Sequence, residues 1–222
     1  MVPSILGGIS MKRLLSVLCM VLVCLFLLTA AIALPIYVRP FYYAHIDAYD
    51  LVHVSGYSEA EIRQAYDEVL DYLTLPGKEF GTGVLPHSDA GKAHFEDCKV
   101  LFDLNASVLI GSAAVLAVLF LLRKKWGPYR LGMHSACFWA AVLSVTAPMA
   151  IGVLAAIDFD RAFVMFHSIF FPGKTNWVFD WHADQIIRIL PQEFFRNCAI
   201  LIGGGLVTMA GSILVWESYK KK

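Results

Sequence analysis

The sequence predicts an all-α membrane protein with four transmembrane helices and an extracytoplasmic insert that contains an amphipathic helix. Of its 222 residues, 58% are hydrophobic, and the mean hydropathy is +0.63; soluble domains contain about 45–50% apolar residues. Four apolar runs are separated by charged inserts, and each run can cross a hydrocarbon core about 30 Å thick. The formal net charge is zero, and no basic patch is interleaved with aromatic residues. This composition predicts that the chain contacts membrane lipid and does not bind nucleic acid.

The four apolar runs are the predicted transmembrane helices. The first, residues 14–34, contains no charged residue and follows the basic pair Lys12-Arg13. A cleaved signal peptide is the alternative, but the run exceeds the usual apolar region of about 7–15 residues, which favours an uncleaved span. Met11 is an alternative start to Met1. The other predicted spans are residues 104–122, 131–157 and 197–216. Residues 1–222 are treated as one integral membrane domain.

The clusters of basic residues beside these spans all lie on one side. They precede the first span, occupy the loop of residues 123–130 around a predicted Gly127-Pro128 turn, and end the chain as Lys220-Lys221-Lys222. With four spans these segments share one side of the membrane, and the positive-inside rule makes that side cytoplasmic. The predicted topology is multi-pass with both termini inside, so that the inserts of residues 36–99 and 158–195 are extracytoplasmic.

The first insert carries a complete set of helix signals. Ser58 and Glu61 have the spacing of a capping box, in which each side chain bonds the other residue's backbone amide. Pro76-Gly77 predicts the end of the helix. Between these signals the apolar residues share one helical face: Ile62, Ala65, Tyr66, Val69, Leu70 and Leu73. We expect one amphipathic helix in this insert, packed on the membrane surface or on the spans.

Two histidines are the candidates for chemistry. His167 lies among four phenylalanines in residues 163–171, and burying a polar ring there costs free energy unless it has partners or a function. A hydrogen-bonded structural histidine is the commoner case. The predicted topology, however, brings His94 to the same side of the membrane. Asp97 follows His94 at i+3 on a predicted helix, where its carboxylate can orient the imidazole. We therefore predict His94, His167 and Asp97 as catalytic residues.

A metal site is the competing use of these side chains. His94, His167, His182, Asp97 and Asp184 could together bind zinc, but no local signature such as HExxH is present. The five cysteines are scattered without CxxC spacing, which argues against a disulfide framework or a zinc knuckle. We expect no metal and no cofactor. A membrane metallohydrolase and a non-enzymatic partner or sensor protein remain the alternative functions.

The order of these motifs resembles the bacterial lipoprotein intramolecular transacylases, the Lit family, over nearly the whole chain from Met11. Cys98 departs from the family pattern, in which valine is expected. The motifs that carry the resemblance are Leu70-Asp71-Tyr72-Leu73, His94-x-x-Asp97, Phe166-His167-x-Ile169-Phe170-Phe171, Asn176-Trp177-x-Phe179 and Leu190-Pro191-x-x-Phe194-Phe195.

The resemblance implies an acyl transfer within one substrate molecule, without a cofactor. The substrate would be a bacterial lipoprotein whose N-terminal cysteine carries a diacylglyceryl group, and the sn-2 acyl chain would move to the cysteine's own α-amine, leaving a lyso-form lipoprotein. In the family the two histidines of these motifs form the catalytic pair, which corresponds to His94 and His167. We expect His94 with Asp97 as the base and His167 as the proton donor, although the reverse assignment and an acyl-imidazole intermediate both remain open. The reaction would occur in the bacterial cell membrane, at its extracytoplasmic face.

Three further residues are predicted to bind the substrate. Arg161 is an extracytoplasmic cation that could contact a lipid phosphate or a carbonyl oxygen. Asn176 and Trp177 belong to one of the family motifs. The alternative for Arg161 and Trp177 is simple anchoring at the membrane interface, where aromatic and basic side chains are common.

Overall fold

The computed structural model describes residues 11–126 and 128–220, without the side chains of residues 147, 150, 151, 154 and 155. The alternative start at Met1, the predicted turn at Gly127 and the last two lysines lie outside the described residues.

Four long helices form the body of the described chain: α1 (Met11–Tyr37), α5 (Asp89–Trp126), α6 (Ala136–Ile157) and α8 (Gln192–Tyr219). Helix α1 packs against the other three, and α6 also packs on α8. Many large apolar side chains on these helices are exposed, among them Ile110 and Leu121 of α5. Such an outer surface suits lipid and not water. The all-α membrane fold predicted from the sequence is confirmed.

Three of these helices, α1, α5 and α8, are long and apolar enough to cross a membrane, and α6 contains a shorter described apolar segment, Ala136–Thr146. The count of four spans and their boundaries stay predictions. Helix α6 begins later than residue 131 because two short strands, β1 (Arg130–Leu131) and β2 (His134–Ser135), pair as an antiparallel hairpin. Gly132 adopts a φ of 66° in its turn, a conformation that favours glycine.

Helix α5 is much longer than a membrane requires. Its 38 residues extend about 57 Å at 1.5 Å per residue, so its first turns project beyond the predicted span of residues 104–122. His94 and Asp97 lie on this projecting part. A single rigid helix therefore connects the candidate site to the membrane.

The first insert contains three helices, α2 (Arg39–Ala48), α3 (Leu51–Ser55) and α4 (Glu59–Thr74). The prediction for α4 is confirmed, because the capping box is present and all six predicted face residues are buried. The expectation of a single helix was wrong. Helices α2 and α3 lack such local signals and depend on tertiary contacts. The ring of Tyr42 stacks on Tyr66 with 3.6 Å between ring centroids, and Arg39 forms an ion pair with Asp67 at 2.9 Å.

The second insert contains α7 (Phe159–Phe170) and a short 3-10 helix, Gln185–Arg188. The Asp184 carboxylate joins this insert to the start of α5. It accepts hydrogen bonds from the Ser88 amide and the Ser88 hydroxyl, both at 2.8 Å. Gly91 lies against the same carboxylate, and a Cβ at this position would overlap Asp184 Oδ1. This joint positions α7 and the loop that follows it beside His94.

Candidate active site

The two histidines predicted as a pair lie side by side, with 5.7 Å between their ring centroids. His94, on α5, is 6% exposed, and so is His167, on α7. Edge-on contacts from Phe171 and Phe179, with centroids 5.0 and 5.5 Å away, shield the His94 ring. Residues that are 73 positions apart in sequence therefore form one buried cluster.

His167 is held in one tautomer. Its Nδ1 lies 2.8 Å from the Phe163 carbonyl oxygen, which can only accept, so Nδ1 carries the proton and donates it. The ring is stacked by Trp177 at 4.6 Å and contacted by Phe163 at 4.3 Å. In the neutral imidazole, Nε2 is then a proton acceptor in a fixed position.

His94 is less constrained. Its Nε2 lies 3.4 Å from the Cys98 sulfur, a weak contact, and its buried Nδ1 has no hydrogen-bond partner among the described residues. Burial raises the pKa of the Cys98 thiol to about 12, assisted by the charge of Asp97, so Cys98 remains a thiol. The departure from the family pattern thus lies directly against a candidate catalytic ring.

Both imidazoles are neutral near pH 7. Burial lowers the pKa of His94 to about 4, the charge of His167 and of Lys174 adds to this, and Asp97 opposes it. Burial also lowers the pKa of His167, against the hydrogen bond to Phe163. A neutral imidazole can accept one proton and donate another without a permanent charge in an apolar site.

Asp97 has partners different from the predicted one. Its carboxylate accepts a charged hydrogen bond from Lys174 Nζ and another, of 3.0 Å, from Asn176 Nδ2, and neither His94 nitrogen bonds to it among the described residues. Burial would raise the pKa of Asp97, but the bonds from Lys174 and Asn176 outweigh it and hold the pKa below its usual range. Asp97 therefore fastens the loop after α7 to α5 and acts on His94 only through its charge.

The family is decided by a match over most of the chain. The family model described as Lipoprotein intramolecular transacylase Lit matches residues 17–195. The chain belongs to the Lit family. Among the curated proteins, none matches the chain. The resemblance predicted from the motifs is confirmed, and the chain is accordingly an acyltransferase of the membrane.

Solved structures of a Lit protein share this fold. The in meso structure of the membrane integral lipoprotein intramolecular transacylase Lit from Bacillus cereus is 25% identical, with a TM-score of 0.83, and the match covers 95% of this chain and 97% of that one. A structure of the same Bacillus cereus protein with a histidine-to-alanine mutation is 24% identical, with a TM-score of 0.79, over 94% of this chain and 93% of that one.

The Lit fold brings two of the three predicted substrate-binding residues to the histidines. Trp177 stacks on His167, and its indole Nε1 donates to the Lys174 carbonyl at 3.0 Å. Asn176 bonds Asp97, while its own buried Oδ1 has no hydrogen-bond partner among the described residues. Arg161 lies in the first turn of α7, where its amide is capped by Asp158 at 2.9 Å. Its side chain is exposed, with no hydrogen bond to the site among the residues described.

Lys174 is the residue of this Lit site that sequence reasoning missed. It is not among the residues predicted for the site, and its sequence signal is its position two residues before Asn176. The alternative metal set is dispersed. Asp184 binds Ser88, the residue before α5, and His182 is exposed. Within residues 11–126 and 128–220 no three His, Cys, Asp or Glu side chains converge as metal ligands.

Proposed function

We propose that this Lit-family chain is a lipoprotein intramolecular transacylase. It moves the sn-2 acyl chain of an S-diacylglyceryl-cysteine lipoprotein to the α-amine of the same cysteine and yields the lyso-form N-acyl lipoprotein. The observation that carries the proposal is the pair of neutral imidazoles, His94 and His167, whose rings lie 5.7 Å apart beside a membrane helix. Acid–base groups so arranged can serve an amine and an ester that belong to one molecule.

His167 is the better candidate for the base, the reverse of the assignment favoured from the sequence. The α-amine has a pKa of about 7.7–8.0, so a useful fraction is neutral near pH 7. As its nitrogen attacks the ester carbonyl, Nε2 of His167 takes one amine proton, and the Phe163 carbonyl stabilises the imidazolium through Nδ1–H. The new N–C bond forms, the C–O bond to glycerol breaks, and the same proton passes to the departing glycerol oxygen.

His94 then serves the carbonyl oxygen. Its ring carries one N–H when neutral, and the low pKa of about 4 keeps it neutral. Donation of this N–H to the developing oxyanion stabilises the tetrahedral intermediate. No proton, electron or group enters or leaves in the sum of these steps, so the reaction consumes no co-reactant, and we propose that it proceeds without a metal or a cofactor.

Asn176 and the residues that hold it are proposed to orient the substrate amine. Its unpartnered buried Oδ1 is an acceptor, and leaving such an atom unpaired costs about 1–3 kcal/mol. A substrate N–H would satisfy it. Asp97 and Lys174 keep this loop in place, and Trp177 keeps the His167 ring in its plane.

The acyl chains are proposed to reach the site from the membrane. On α7 the residues around the buried His167 are apolar and exposed: Phe166 is 46%, Ile169 is 64% and Phe170 is 49% exposed. This face would lie in the lipid at the extracytoplasmic side.

A cysteine introduced at exposed Thr175 should react with a membrane-impermeant reagent added from outside, whereas one at Lys124 should not, in a variant without the native cysteines. The reverse pattern would contradict this topology.

The test uses purified chain and a synthetic diacylglyceryl-cysteine lipopeptide. Transfer within one molecule leaves the total mass unchanged, so tandem mass spectrometry must detect the acyl chain on nitrogen, and an amine-reactive reagent must cease to react. A mixture of lipopeptides labelled with deuterium in the acyl chains or in the peptide should give no crossed product. An N-acetylated lipopeptide serves as the control and should remain unchanged.

The same experiment separates the alternatives. A hydrolase would release a fatty acid and lower the mass of the lipopeptide, and a partner or sensor protein would leave it intact. Chelator-treated protein should keep its activity. Activity that returned only with added zinc would contradict the metal-free mechanism.

A further inference from the structure

A cavity of about 530 Å³ lies at the end of the helix bundle away from the histidines, between α1, the β1–β2 hairpin and α6. The distance follows from the helices. Asn105 of α5 donates to the Thr29 carbonyl of α1 at 3.3 Å, which brings these residues to one level. Arg13 and His94 then lie on opposite sides of this level, about 40 Å apart along the axis at 1.5 Å per residue. The cavity is therefore separate from the acyl-transfer site.

Two arginines line this cavity, and none of the described residues that line it is acidic. Arg13 is exposed in the first turn of α1. Arg130 belongs to β1 and donates a hydrogen bond to the Met133 carbonyl, which directs the guanidinium and leaves further N–H groups for another acceptor. Neither arginine forms an ion pair with another part of the described chain. Two cations therefore line one cavity, and neither has a carboxylate partner among the described residues.

The rest of the cavity is largely apolar. Met20 lies about 10 Å further along α1 than Arg13, and Leu143 and Trp139 of α6 provide the facing wall. The indole Nε1 of Trp139 donates to the Leu131 carbonyl at 3.0 Å, which joins α6 to the hairpin that carries Arg130. The result is a cationic entrance beside an apolar wall that includes a tryptophan, a residue type that is common at the level of lipid headgroups.

We propose that this cavity binds an anionic phospholipid, such as a phosphatidylglycerol, with its phosphate between Arg13 and Arg130 and one acyl chain along Met20 and Leu143. Guanidinium groups match the planar, bidentate geometry of phosphate oxygens. A free phosphate would leave the apolar wall without contact, whereas a zwitterionic lipid would bring a second cation to the arginines. The proposal requires neither the acyl-transfer mechanism nor the orientation of the chain in the membrane.

The test compares dioleoyl phosphatidylglycerol with dioleoyl phosphatidylcholine, added to the purified chain in detergent, by native mass spectrometry and by thermal unfolding. We expect phosphatidylglycerol to remain bound and to raise the unfolding temperature more than phosphatidylcholine does, because only bound ligand stabilises the fold. R13Q and R130Q should each weaken phosphatidylglycerol binding about tenfold, as expected for a lost charged hydrogen bond. The double variant R13Q/R130Q should lose the preference.

The matched control is R123Q/K124Q, which removes the same charge at the same end of the bundle but outside the cavity. Loss of the preference in this control would show diffuse attraction by the basic surface and would overturn the proposal. So would equal binding of phosphatidylcholine, or displacement of the bound lipid by millimolar inorganic phosphate alone. Because the Arg13 side chain is exposed, R13Q should fold even if R130Q disturbs the hairpin, and unchanged binding by R13Q would likewise refute the site.

Discussion

Replacing His167 by alanine should remove chemistry from this protein while leaving most of its stability. Loss of a positioned acid–base group lowers a rate about 10²–10⁴-fold, which corresponds to about 2.7–5.5 kcal/mol of transition-state stabilisation. The folded state loses a hydrogen bond to Phe163, worth about 0.5–1.5 kcal/mol, and the stacking on Trp177, worth about 0.5–1.5 kcal/mol. We therefore expect a stable, inserted protein whose activity is almost absent.

The chain provides a matched control in His45. This histidine is 7% exposed, against 6% for His167, and its Nδ1 contacts the carbonyl four residues earlier, that of Phe41, at 2.6 Å. Its Nε2 is already bound to Asn197 at 3.0 Å. His45→Ala should thus destabilise the fold at least as much as His167→Ala does, yet keep transacylation within a few-fold of the wild type.

The assay measures the detergent-solubilised melting temperature and the formation of lyso-lipopeptide on the same preparations. His94→Ala should resemble His167→Ala, and the double variant should be little worse than either single one, because groups that act as a unit are not additive. Near wild-type activity in a well-folded His94 or His167 variant would refute the catalytic assignment. Activity that declined only in proportion to stability, as expected for His45, would do the same.

Three further predictions concern the surroundings of the pair. Asp97→Asn should slow transfer about tenfold, less than either histidine variant, and should raise KM more than it lowers kcat, because Asp97 holds Asn176, which is proposed to orient the substrate amine. The melting temperature should change little, since the ion pair with half-exposed Lys174 contributes only about 0–1 kcal/mol to stability. A loss of activity as large as that of His94→Ala would make Asp97 part of the chemistry. The pKa of His94 falls from 6.5 to about 4 on folding, so the folded chain takes up fewer protons than the unfolded chain. The free energy of unfolding is therefore full above pH 6.5 and declines toward pH 4 by up to about 3 kcal/mol. Unfolding measured against pH should lack this decline in His94→Gln, and an unchanged slope in that variant would contradict the prediction. Gly91→Ala should displace the Asp184 carboxylate and lower both activity and melting temperature. The control is Gly111→Ala on the same helix, which has open space at its Cβ and should lower neither. Equal melting temperatures for the two variants would contradict the close approach at Gly91.

Local sequence signals predicted the parts of the fold that depend on neighbouring residues. The α4 helix begins at a capping box and buries one face at helical spacing, and both features follow from residues within this one short segment of the sequence. Helices α2 and α3 were missed for the complementary reason. Tyr42 of α2 is completely buried because Tyr66 stacks on it and the Ile189 carbonyl accepts its hydroxyl at 2.9 Å, and no local pattern describes contacts with residues so distant in the chain.

The sequence by itself determined the membrane class and the family, and it singled out His94 and His167 as the candidate pair, because hydrophobic runs and short motifs are readable without coordinates. Only the tertiary structure decided what each polar group does. It turned Asp97 away from His94 toward Lys174 and Asn176, set the Cys98 thiol against His94, and fixed the His167 proton on Nδ1 through the Phe163 carbonyl. Sequence spacing limits which side chains share a helical face, but a hydrogen bond goes to whichever partner the folding of distant segments brings within about 3 Å.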